Sequence, residues 1–392
     1  MRILSIGSMY PPHSLGGYEV TWRQAVEHMR EQGHTVRVLT SDFHRPEVGD
    51  PDAGDVHREL RWYWHDHDFP AKGVRERVRL ERHNLAVLDR HLADLRPDAV
   101  SWWAMGGMSL GLIEAVRARG LPAVGEVGDD WMAYGPRVDG WQRLLRRAGP
   151  AAPALARAAR LPGRPDLSAA ALWQFNSART MATSVASAGL DPGRAEVLHP
   201  GIDPDQFEPG PPRPWSGRLA CVGRLDPRKG VDTVIRALPG LDGITLRVVG
   251  GGDESHRREL EILARRLDVS SRVSFDELPP GQVAEAYREA DALVFPVTWE
   301  EPFGLVPLEA MACGTPVLAT GTGGTAEYLR DGSNCLLFGP GDADGLTAAV
   351  RRLAEDERLR EGLRAGGLET APRYSVAGFV AGVREALEAA VA

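Results

Sequence analysis

Patterns of buried strands and amphipathic helices alternate along most of the chain. Short apolar runs such as RILSIG and HTVRVLTS are typical of buried parallel strands. Between them, YEVTWRQAVEHMREQG has the apolar period of a helix and ends at a glycine. The alternation continues through PDAVSWW, a helix over residues 108–119, LPAVGEVGDD and ALWQFNS. Strands and helices joined by short loops predict βαβ units and a doubly wound sheet.

A segment dense in Pro and Gly, residues 200–217, interrupts this alternation and predicts an interdomain linker. The pattern restarts at RLACVGR and runs through ITLRVVGGG, RVSFDEL, DALVFPV and PVLAT, with helical segments between them. We therefore expect an N-terminal domain over residues 1–199 and a second α/β domain over residues 218–374. The amphipathic segment 375–392 is expected to be a terminal helix. Ligands of two such domains are expected in a cleft where the carboxyl ends of their strands face each other.

Composition narrows the class of protein. A chain of 392 residues is long for one hydrophobic core, which also favours two domains. The formal charge of −8 argues against a nucleic-acid binder. No apolar run approaches the roughly 18 residues of a membrane span, and the N-terminus lacks a signal-peptide pattern, so we expect a cytoplasmic protein. The spacing of Cys221, Cys313 and Cys335 fits neither a zinc site nor a disulfide framework, which predicts small buried residues.

Cations are distributed unevenly. Lys72 and Lys229 are the only lysines, and the arginine-rich remainder is typical of a GC-rich bacterial genome. Residues 141–164 hold six arginines and no acid. This run predicts either a solvated or disordered basic loop, or contact with an anionic acceptor or, peripherally, with a membrane surface.

The stretch CVGRLDPRKG, residues 221–230, combines a strand end, a turn and a helix start. Arg224 leaves the strand end, and Lys229 comes just before the helix. A helix N-terminus favours anions, and two added cations suit a diphosphate. The alternative is a surface ion pair of Arg224 with a solvated Lys229.

Glycines follow two other predicted strands. Gly250 and Gly251 end RVVGGG, and Gly16 and Gly17 precede the first helix. Both pairs permit close approach of backbone to a ligand, although ordinary α/β turns look similar.

In EEPFGLVPLEAMACGTPV, residues 300–317, a Pro/Gly turn separates two glutamates. Glu301 is predicted on the loop and Glu309 in the first helical turn, with the amides from Phe303 through Gly304 to Leu305 between them. Two carboxylates can accept hydroxyl hydrogen bonds, which suits a ribose and a sugar. The alternatives are placement of Glu309 at the helix dipole and plain exposure of Glu301.

Taken together, these motifs resemble those of the family 4 retaining glycosyltransferases, which have the two-domain GT-B fold. The matching segments are GG at 16–17, VGRLDPRKGVD at 222–232, EPFGLVPLEAMACGTPVLAT at 301–320 and GGTAEYL at 323–329. Their order and spacing hold across nearly the whole chain. The resemblance implies an α/β GT-B fold of two Rossmann-like domains facing a central cleft.

The resemblance also implies roles for individual residues. Arg224 and Lys229 bind the donor diphosphate, Glu309 accepts from the ribose and Glu301 contacts the donor sugar. The backbone of Phe303, Gly304 and Leu305 meets sugar and phosphate, Gly16 and Gly17 close over the donor, and the terminal helix crosses back onto the N-terminal domain.

One position departs from the family pattern. The strand in GEVGDDW is followed by Gly128 where the family usually has a histidine that contacts the donor sugar. Asp129 or Asp130 is the candidate replacement as a sugar or acceptor contact, and an unusual donor sugar is the other interpretation.

Asp-x-Asp patterns occur twice, as DHD at residues 66–68 and DPD at residues 203–205, with His65 and His67 beside the first. Neither follows a buried strand, so we expect no metal site. The aromatic run RWYWHDHDF around the first suits either stacking on a sugar or planar acceptor, or core packing.

The predicted enzyme is a metal-independent, hexosyltransferase-like glycosyltransferase without a cofactor. It moves a glycosyl group from a UDP- or GDP-sugar to a small-molecule, glycan or lipid acceptor. The alternatives are an inactive nucleotide-sugar-binding subunit, a GT-B-like epimerase and a phosphorylase, although a phosphorylase would need a pyridoxal lysine. The sequence leaves monomer and homodimer open.

Overall fold

Two parallel sheets organise the protein, one in each of two compact units. The computed structural model describes residues 1–14, 16–45, 54–65 and 68–392. The first unit comprises Met1–His199 with Gly378–Ala392, and the second comprises Pro200–Ala377. Both sheets are wholly parallel and place the first strand of their unit in the interior of the sheet. The predicted fold class of two doubly wound, Rossmann-like domains is confirmed.

The first unit has a seven-stranded sheet in the order β3-β2-β1-β4-β5-β6-β7. Its strands are β1 (Arg2–Ile6), β2 (Thr35–Ser41), β3 (Val56–Leu60), β4 (Ala99–Trp102), β5 (Ala123–Val127), β6 (Leu172–Phe175) and β7 (Ala195–Val197). Its helices are α1 (Gly17–Glu31), α2 (Val74–Leu95), α3 (Gly111–Arg117), α4 (Trp131–Val138), α5 (Gly140–Ala148), α6 (Ala152–Ala159), α7 (Leu167–Ala170) and α8 (Ala178–Ala188).

The second unit repeats this strand order over six strands. The strands are β8 (Arg218–Val222), β9 (Thr245–Val249), β10 (Val273–Asp276), β11 (Ala292–Phe295), β12 (Val317–Ala319) and β13 (Leu336–Leu337), in the order β10-β9-β8-β11-β12-β13. The helices are α9 (Val231–Ala237), α10 (Glu254–Arg266), α11 (Val283–Glu289), α12 (Val306–Ala312), α13 (Ala343–Glu355) and α14 (Glu357–Thr370).

Central strands of the second unit are buried on both faces. Ala292 and Val294 of β11 belong to one hydrophobic cluster, whereas Leu293 and Phe295 belong to another. Successive side chains of a strand point to opposite faces, so each face has its own core. This explains why DALVFPV reads as a continuous apolar run.

The terminal helix α15 (Val376–Val391) begins in the second unit and has its body in the first. Phe379 packs with its ring centroid 6.3 Å from that of Trp103. Gln174 of β6 donates a hydrogen bond to the Gly382 carbonyl at 3.4 Å. The helix is therefore bound to the first unit by both apolar and polar contacts.

The segment 200–217, expected as a linker, lies within the second unit. Ile202 and Phe207 are buried in the same cluster as Tyr287. The Ile202 amide also donates to the Tyr374 carbonyl at 2.9 Å. Proline and glycine prevent regular structure here, yet two apolar side chains still dock the segment.

The prediction of a basic loop over residues 141–164 is wrong, because these residues form α5 and α6. Trp141 and Leu145 are buried with Ala156 in a small hydrophobic cluster, while Arg146 and Arg147 are exposed. An apolar stripe at helical spacing holds the segment, and its arginines face outward.

Two further findings concern burial. Cys221, Cys313 and Cys335 are buried free thiols, as expected. Within the described ranges, no helix has both the length and the apolar character needed to span a membrane.

Candidate functional site

The loop after β8 carries the two cations predicted to bind a diphosphate. Arg224 lies two positions beyond the strand, and Lys229 ends a 3-10 turn (Pro227–Lys229) just before α9. Gly230 follows with φ of 69°, and a Cβ there would lie 2.1 Å from the Pro296 carbonyl oxygen. Only glycine permits this approach, which locks the loop against the end of β11.

Lys229 forms an ion pair with Glu301 of the loop after β11. The Lys229 Nζ lies 2.7 Å from Glu301 Oε2, and Trp299 Nε1 donates to the same oxygen at 3.0 Å. The Lys229 side chain is 26% exposed and that of Glu301 12%. The pair is therefore shielded but still reachable from solvent, and two predicted site residues from distant parts of the sequence lie together.

Asp226 holds the neighbouring arginine of this loop. Arg228 donates to Asp226 from Nε at 2.9 Å and from Nη2 at 2.6 Å, and this guanidinium keeps the pKa of the Asp226 carboxyl well below its usual range. The Arg228 guanidinium carbon also lies 4.5 Å from the Trp299 ring centroid. Arg224, by contrast, makes no bond this short, since its Nη2 lies 3.5 Å from Asp226 Oδ2. Arg224 is thus the more loosely held cation, which suits contact with a ligand.

Glu309 lies in the first turn of α12, as predicted. Tyr287 of α11 donates its hydroxyl to Glu309 Oε2 at 2.5 Å. Burial raises the pKa of Glu309, and the hydrogen bond from Tyr287 partly opposes that rise. One oxygen is thus oriented by Tyr287, and the second can accept from a ligand hydroxyl.

The loop that carries Glu301 is held by backbone packing against the loop after β12. The Gly324 amide donates to the Glu301 carbonyl at 2.7 Å. A Cβ on Gly323 would lie 2.2 Å from that carbonyl oxygen, and one on Gly324 would lie 2.1 Å from the Pro302 oxygen. The two glycines of GGTAEYL therefore set the position of the glutamate.

Phe303, Gly304 and Leu305 join Glu301 to α12. The Phe303 ring is buried, with its centroid 5.4 Å from that of Tyr328, so its side chain belongs to the core. Gly304 has φ of 82°, and its carbonyl accepts from the Tyr328 hydroxyl. Leu305 is half-buried at the helix start. Donor contacts by this backbone stay a prediction.

The predicted donor-binding glycines fall into two kinds. A Cβ on Gly250 would lie 2.1 Å from the Gly223 carbonyl oxygen, and one on Gly251 would lie 2.4 Å from Glu277 Oε1. The backbone contact at Gly250 requires glycine whether or not a ligand binds, whereas the close atom at Gly251 ends a flexible side chain that can move. Among the described residues, a Cβ on Gly17 would meet no atom within 4 Å, and one on Gly16 would meet only Glu19 Oε2, at 3.3 Å. The loop after β1 therefore has open space that its own packing does not require.

Gly128 makes room for an aromatic ring. A Cβ there would lie 2.4 Å from two ring carbons of Tyr18, whose hydroxyl donates to the Glu126 carbonyl at 2.6 Å. The phenol thus fills the place from which a histidine at position 128 would project. Tyr18 was not among the predicted site residues, although it directly follows Gly16 and Gly17 in the sequence.

Asp129 and Asp130 have separate partners. Tyr134 donates to Asp129 Oδ2 at 2.7 Å, and burial raises the pKa of Asp129 to about 6. Arg179 of α8 donates from Nη1 to both oxygens of Asp130 at 2.7 Å. Since its charge is already paired, Asp130 is the weaker candidate for a ligand contact, and Asp129 the stronger.

The two Asp-x-Asp patterns give no ligand cluster that can be described. Asp66 and His67 lie outside the described residues. Asp203 accepts from the Asp205 amide at 3.0 Å, which is an ordinary turn interaction. Among the neighbouring aromatic residues, Trp62 is buried and packs 5.8 Å from Phe43 between ring centroids, so core packing accounts for it.

Trp299, Tyr287 and Tyr18 are the candidate site residues that sequence reasoning missed. Trp299 could have been found, because it lies two positions before Glu301. Tyr287 and Glu309 are 22 positions apart and meet only through the packing of α11 on α12.

Two family models match the chain. The model described as Glycosyltransferase Family 4 matches residues 15–206, and the one described as Glycosyl transferases group 1 matches residues 208–369. Between them they cover residues 15–369 except position 207.

Curated relatives match shorter parts. A D-inositol 3-phosphate glycosyltransferase 2 of Catenulispora acidiphila is 38% identical over 221 residues, which are 48% of this chain and 52% of the relative. A D-inositol 3-phosphate glycosyltransferase of Mycobacterium bovis is 42% identical over 159 residues, 37% of this chain and 32% of the relative. The matches thus span about half of the first relative and about a third of the second.

Solved structures are similar over nearly the full length. Sucrose-phosphate synthase from Thermosynechococcus elongatus has a TM-score of 0.73 at 21% identity, covering 98% of this chain and 97% of that one. Anabaena HepE in complex with UDP and glucose has a TM-score of 0.70 at 21% identity, covering 99% of both chains. At these identities the similarity shows the shared fold.

Proposed function

The chain belongs to glycosyltransferase family 4 and has the GT-B type of fold, and from this premise we propose that it transfers a glycosyl group from a nucleoside diphosphate sugar to an acceptor hydroxyl. The observation that carries the proposal is the Lys229–Glu301 pair at the ends of β8 and β11, with Arg224 and Glu309 in the same unit. These residues combine cations that suit a diphosphate with carboxylates that suit hydroxyl groups.

In this proposal Lys229 and Arg224 bind the diphosphate. An ammonium group has three N–H donors, and Lys229 uses one of them on Glu301, so others remain for phosphate oxygens. Arg224 can add a forked contact because its side chain is exposed. The two cations stabilise the charge that builds up on the leaving nucleotide.

The carboxylates and glycines hold the rest of the donor. Glu309, oriented by Tyr287, accepts from the ribose hydroxyls, and Glu301 accepts from the donor sugar. Further donor contacts come from small or backbone groups, namely Gly16, Gly17, Gly250, Gly251, Phe303, Gly304 and Leu305. Asp129 is the preferred contact to the sugar or acceptor in place of the family histidine.

The proposed reaction retains the anomeric configuration and needs no metal. The bond from the anomeric carbon to the β-phosphate oxygen breaks, and the acceptor oxygen forms its bond on the same face. The leaving phosphate oxygen takes the proton of the acceptor hydroxyl. Protein cations supply the charge stabilisation that a metal would otherwise give.

For the acceptor we propose a small anionic polyol first, and a glycan or lipid second. The curated relatives are named as D-inositol 3-phosphate glycosyltransferases, which makes an inositol phosphate the first compound to test. Exposed Arg146, Arg147 and Arg157 on α5 and α6 give the first unit a basic surface that suits such an anion or peripheral contact with an anionic membrane.

For the donor we propose a UDP-sugar before a GDP-sugar, because HepE was solved with UDP-glucose. A thermal-shift series with UDP-, GDP- and other nucleotide sugars tests this, since a ligand of the folded state raises the unfolding temperature. The sugar that gives the largest shift is then incubated with inositol phosphate, and the anomeric configuration of the product is read by NMR.

Three results would count against the proposal. Binding without transfer to any acceptor would indicate an inactive binding subunit. Conversion of the donor sugar in the absence of an acceptor would indicate an epimerase. An inverted product would remove the retaining mechanism but leave the donor site in place.

A further inference from the structure

Two histidines and a glutamate come together at the edge of the first unit's sheet. His57 and Glu59 lie on the edge strand β3, and His91 lies in the last turns of α2. One ligand atom from each residue lies within 4.8 Å of the others. The cluster includes none of the residues assigned to the proposed donor site.

Glu59 divides its two oxygens between different partners. Arg90 donates to Oε2. The other oxygen, Oε1, lies 3.3 Å from His57 Nδ1 and 3.4 Å from His91 Nε2. His83 also fixes the Glu59 backbone, with Nε2 2.8 Å from its carbonyl oxygen. Oε1 is therefore presented to both imidazoles.

His57 is oriented from its far side. Its Nε2 lies 2.5 Å from Asp55 Oδ1, and Arg37 Nε donates to the other Asp55 oxygen at 2.8 Å. Arg37 in turn is paired with Asp94. A carboxylate behind a histidine fixes the ring and its tautomer, which is the usual outer partner of a metal-binding histidine.

His91 is buried and makes no hydrogen bond. Its residue is 3% exposed, and neither Nδ1 nor Nε2 has a hydrogen-bond partner among the described residues. Burying a polar nitrogen without a partner costs free energy, so such groups call for an explanation. The ring lies 4.6 Å from that of His57 between centroids, at 67°.

Two of the three separations in the cluster fit a divalent metal. Zinc binds nitrogen and carboxylate oxygen at about 2.0–2.1 Å, so neighbouring ligand atoms of a tetrahedral site lie about 3.3 Å apart. The distances from Glu59 Oε1 to the two histidines, 3.3 and 3.4 Å, match that separation. The His57 and Glu59 side chains are 32% and 35% exposed, which leaves a path for the ion.

We propose that His57, Glu59 and His91 bind a zinc-like divalent cation, with Asp55 as the outer partner of His57 and a water molecule as the fourth ligand. The ion would connect β3 to α2 and give one nitrogen of His91, Nε2, its missing partner. This site is separate from the proposed transfer chemistry, which needs no metal.

The competing explanation is an ion pair without metal. His57 lies between the carboxylates of Asp55 and Glu59, and Arg37 and Arg90 already neutralise part of the local negative charge. That arrangement explains His57 but leaves His91 without a hydrogen bond. A bound metal gives each ring one ligand bond, at His57 Nδ1 and at His91 Nε2.

The test uses the full chain without a histidine tag. After dialysis against a chelator, the protein is titrated with zinc chloride in competition with a chromophoric chelator, and bound metal is measured by elemental analysis. We expect one zinc per chain for the wild type. We expect loss of that zinc in His57→Gln and Glu59→Gln, and binding about 10- to 100-fold weaker in Asp55→Asn. Cobalt substitution should give the strong visible absorption of a four-coordinate site.

His28→Gln is the matched control, because His28 lies in the same unit with Nδ1 3.7 Å from a glutamate oxygen, that of Glu31. It should bind zinc like the wild type. His91→Gln is a second test, and His57→Gln, at a partly exposed position, preserves the test when the buried variant fails to fold. The proposal is overturned when the wild type retains no zinc, or when the His57 and Glu59 variants bind it equally well. Neither result bears on glycosyl transfer.

Discussion

The two units share one strand order but hold the polar groups at their strand ends in different ways. In the second unit, loops after β8 and β11 bring Lys229 to Glu301 at 2.7 Å. In the first, the start of α1 and the loop after β5 bring the Tyr18 ring against Gly128, and Arg179 forms an ion pair with Asp130. The strand ends of the second unit thus present a cation and carboxylates, and those of the first unit present glycines and the half-buried carboxylate of Asp129.

This difference shows in which unit sequence motifs identify the site residues. The predicted site residues of the second unit lie in short sequence motifs, because each loop contains its own turn and helix start. In the first unit, the space beside Gly128 is filled by Tyr18, a residue 110 positions away in the sequence. Substitutions in the two units test this distinction.

The largest effect is expected from Lys229→Ala. Loss of one charged group that stabilises a leaving group should lower kcat about 10²- to 10³-fold, while the unfolding temperature changes little because Glu301 keeps the hydrogen bond from Trp299. Initial rates and thermal unfolding measure the two effects. Lys72→Ala, at the only other lysine, which pairs with Glu76 at 3.0 Å, is the control and should retain full activity. Wild-type kcat in Lys229→Ala would remove the proposed diphosphate site.

Restoring the family histidine by Gly128→His should destabilise the first unit. The new Cβ would lie 2.4 Å from the Tyr18 ring, and overpacking of this kind costs about 1–3 kcal/mol in the free energy of unfolding. The double variant Gly128→His with Tyr18→Ala should recover much of that loss. Urea unfolding of the wild type, both single variants and the double variant gives the coupling. Additive effects would show that the two positions do not share one space.

Glu309→Ala should weaken nucleotide binding about tenfold, since it removes a charged hydrogen-bond acceptor. Isothermal titration with UDP and with the free sugar measures this, and only nucleotide binding should change. Tyr287→Phe keeps the carboxylate but removes the hydroxyl that orients it, so its effect should be smaller. Unchanged nucleotide affinity in Glu309→Ala would contradict the ribose assignment.

The smallest effect is the pH dependence contributed by Asp129. Its pKa is about 6 in the folded protein, above the value of about 3.9 for an unfolded aspartate. The folded state therefore holds the proton longer, and this group lowers stability as pH rises from about 4 to 6, by about 1 kcal/mol for each pH unit. Asp129→Asn cannot titrate, so the wild-type stability should fall relative to this variant across that window. A difference that stays constant from pH 4 to 7 would show that Asp129 is not buried as a carboxylate.

Much of the fold could be predicted because its signals are local. The runs RLACVGR, ITLRVVGGG and DALVFPV correspond to β8, β9 and β11, and the helix ends carry glycines. The prediction missed β3 and α2, which hold the proposed metal ligands His57 and His91. The strand VHREL lies at the sheet edge with most of its side chains half-buried, so it lacks the apolar run of a central strand.

In the donor site, too, the residues with a local sequence signal could be predicted and the others could not. Lys229 and Glu309 stand out because of turn chemistry and helix starts, which are readable in the sequence. Gly250 looks like a ligand contact but is also required by the close approach of the Gly223 carbonyl. The sequence alone could not distinguish ligand contact from internal packing, because both require a residue without a side chain.

By itself, the sequence determined the alternation of strands and helices, the two-domain α/β class and the family, because these depend on short-range periodicity and on motifs within single loops. Only the tertiary structure decided that Lys229 meets Glu301 across 72 positions, that Tyr287 orients Glu309, and that Tyr18 fills the space at Gly128. Parallel sheets bring strand ends together regardless of their distance along the chain, so the partners of a charged or aromatic side chain are set by packing rather than by sequence neighbours.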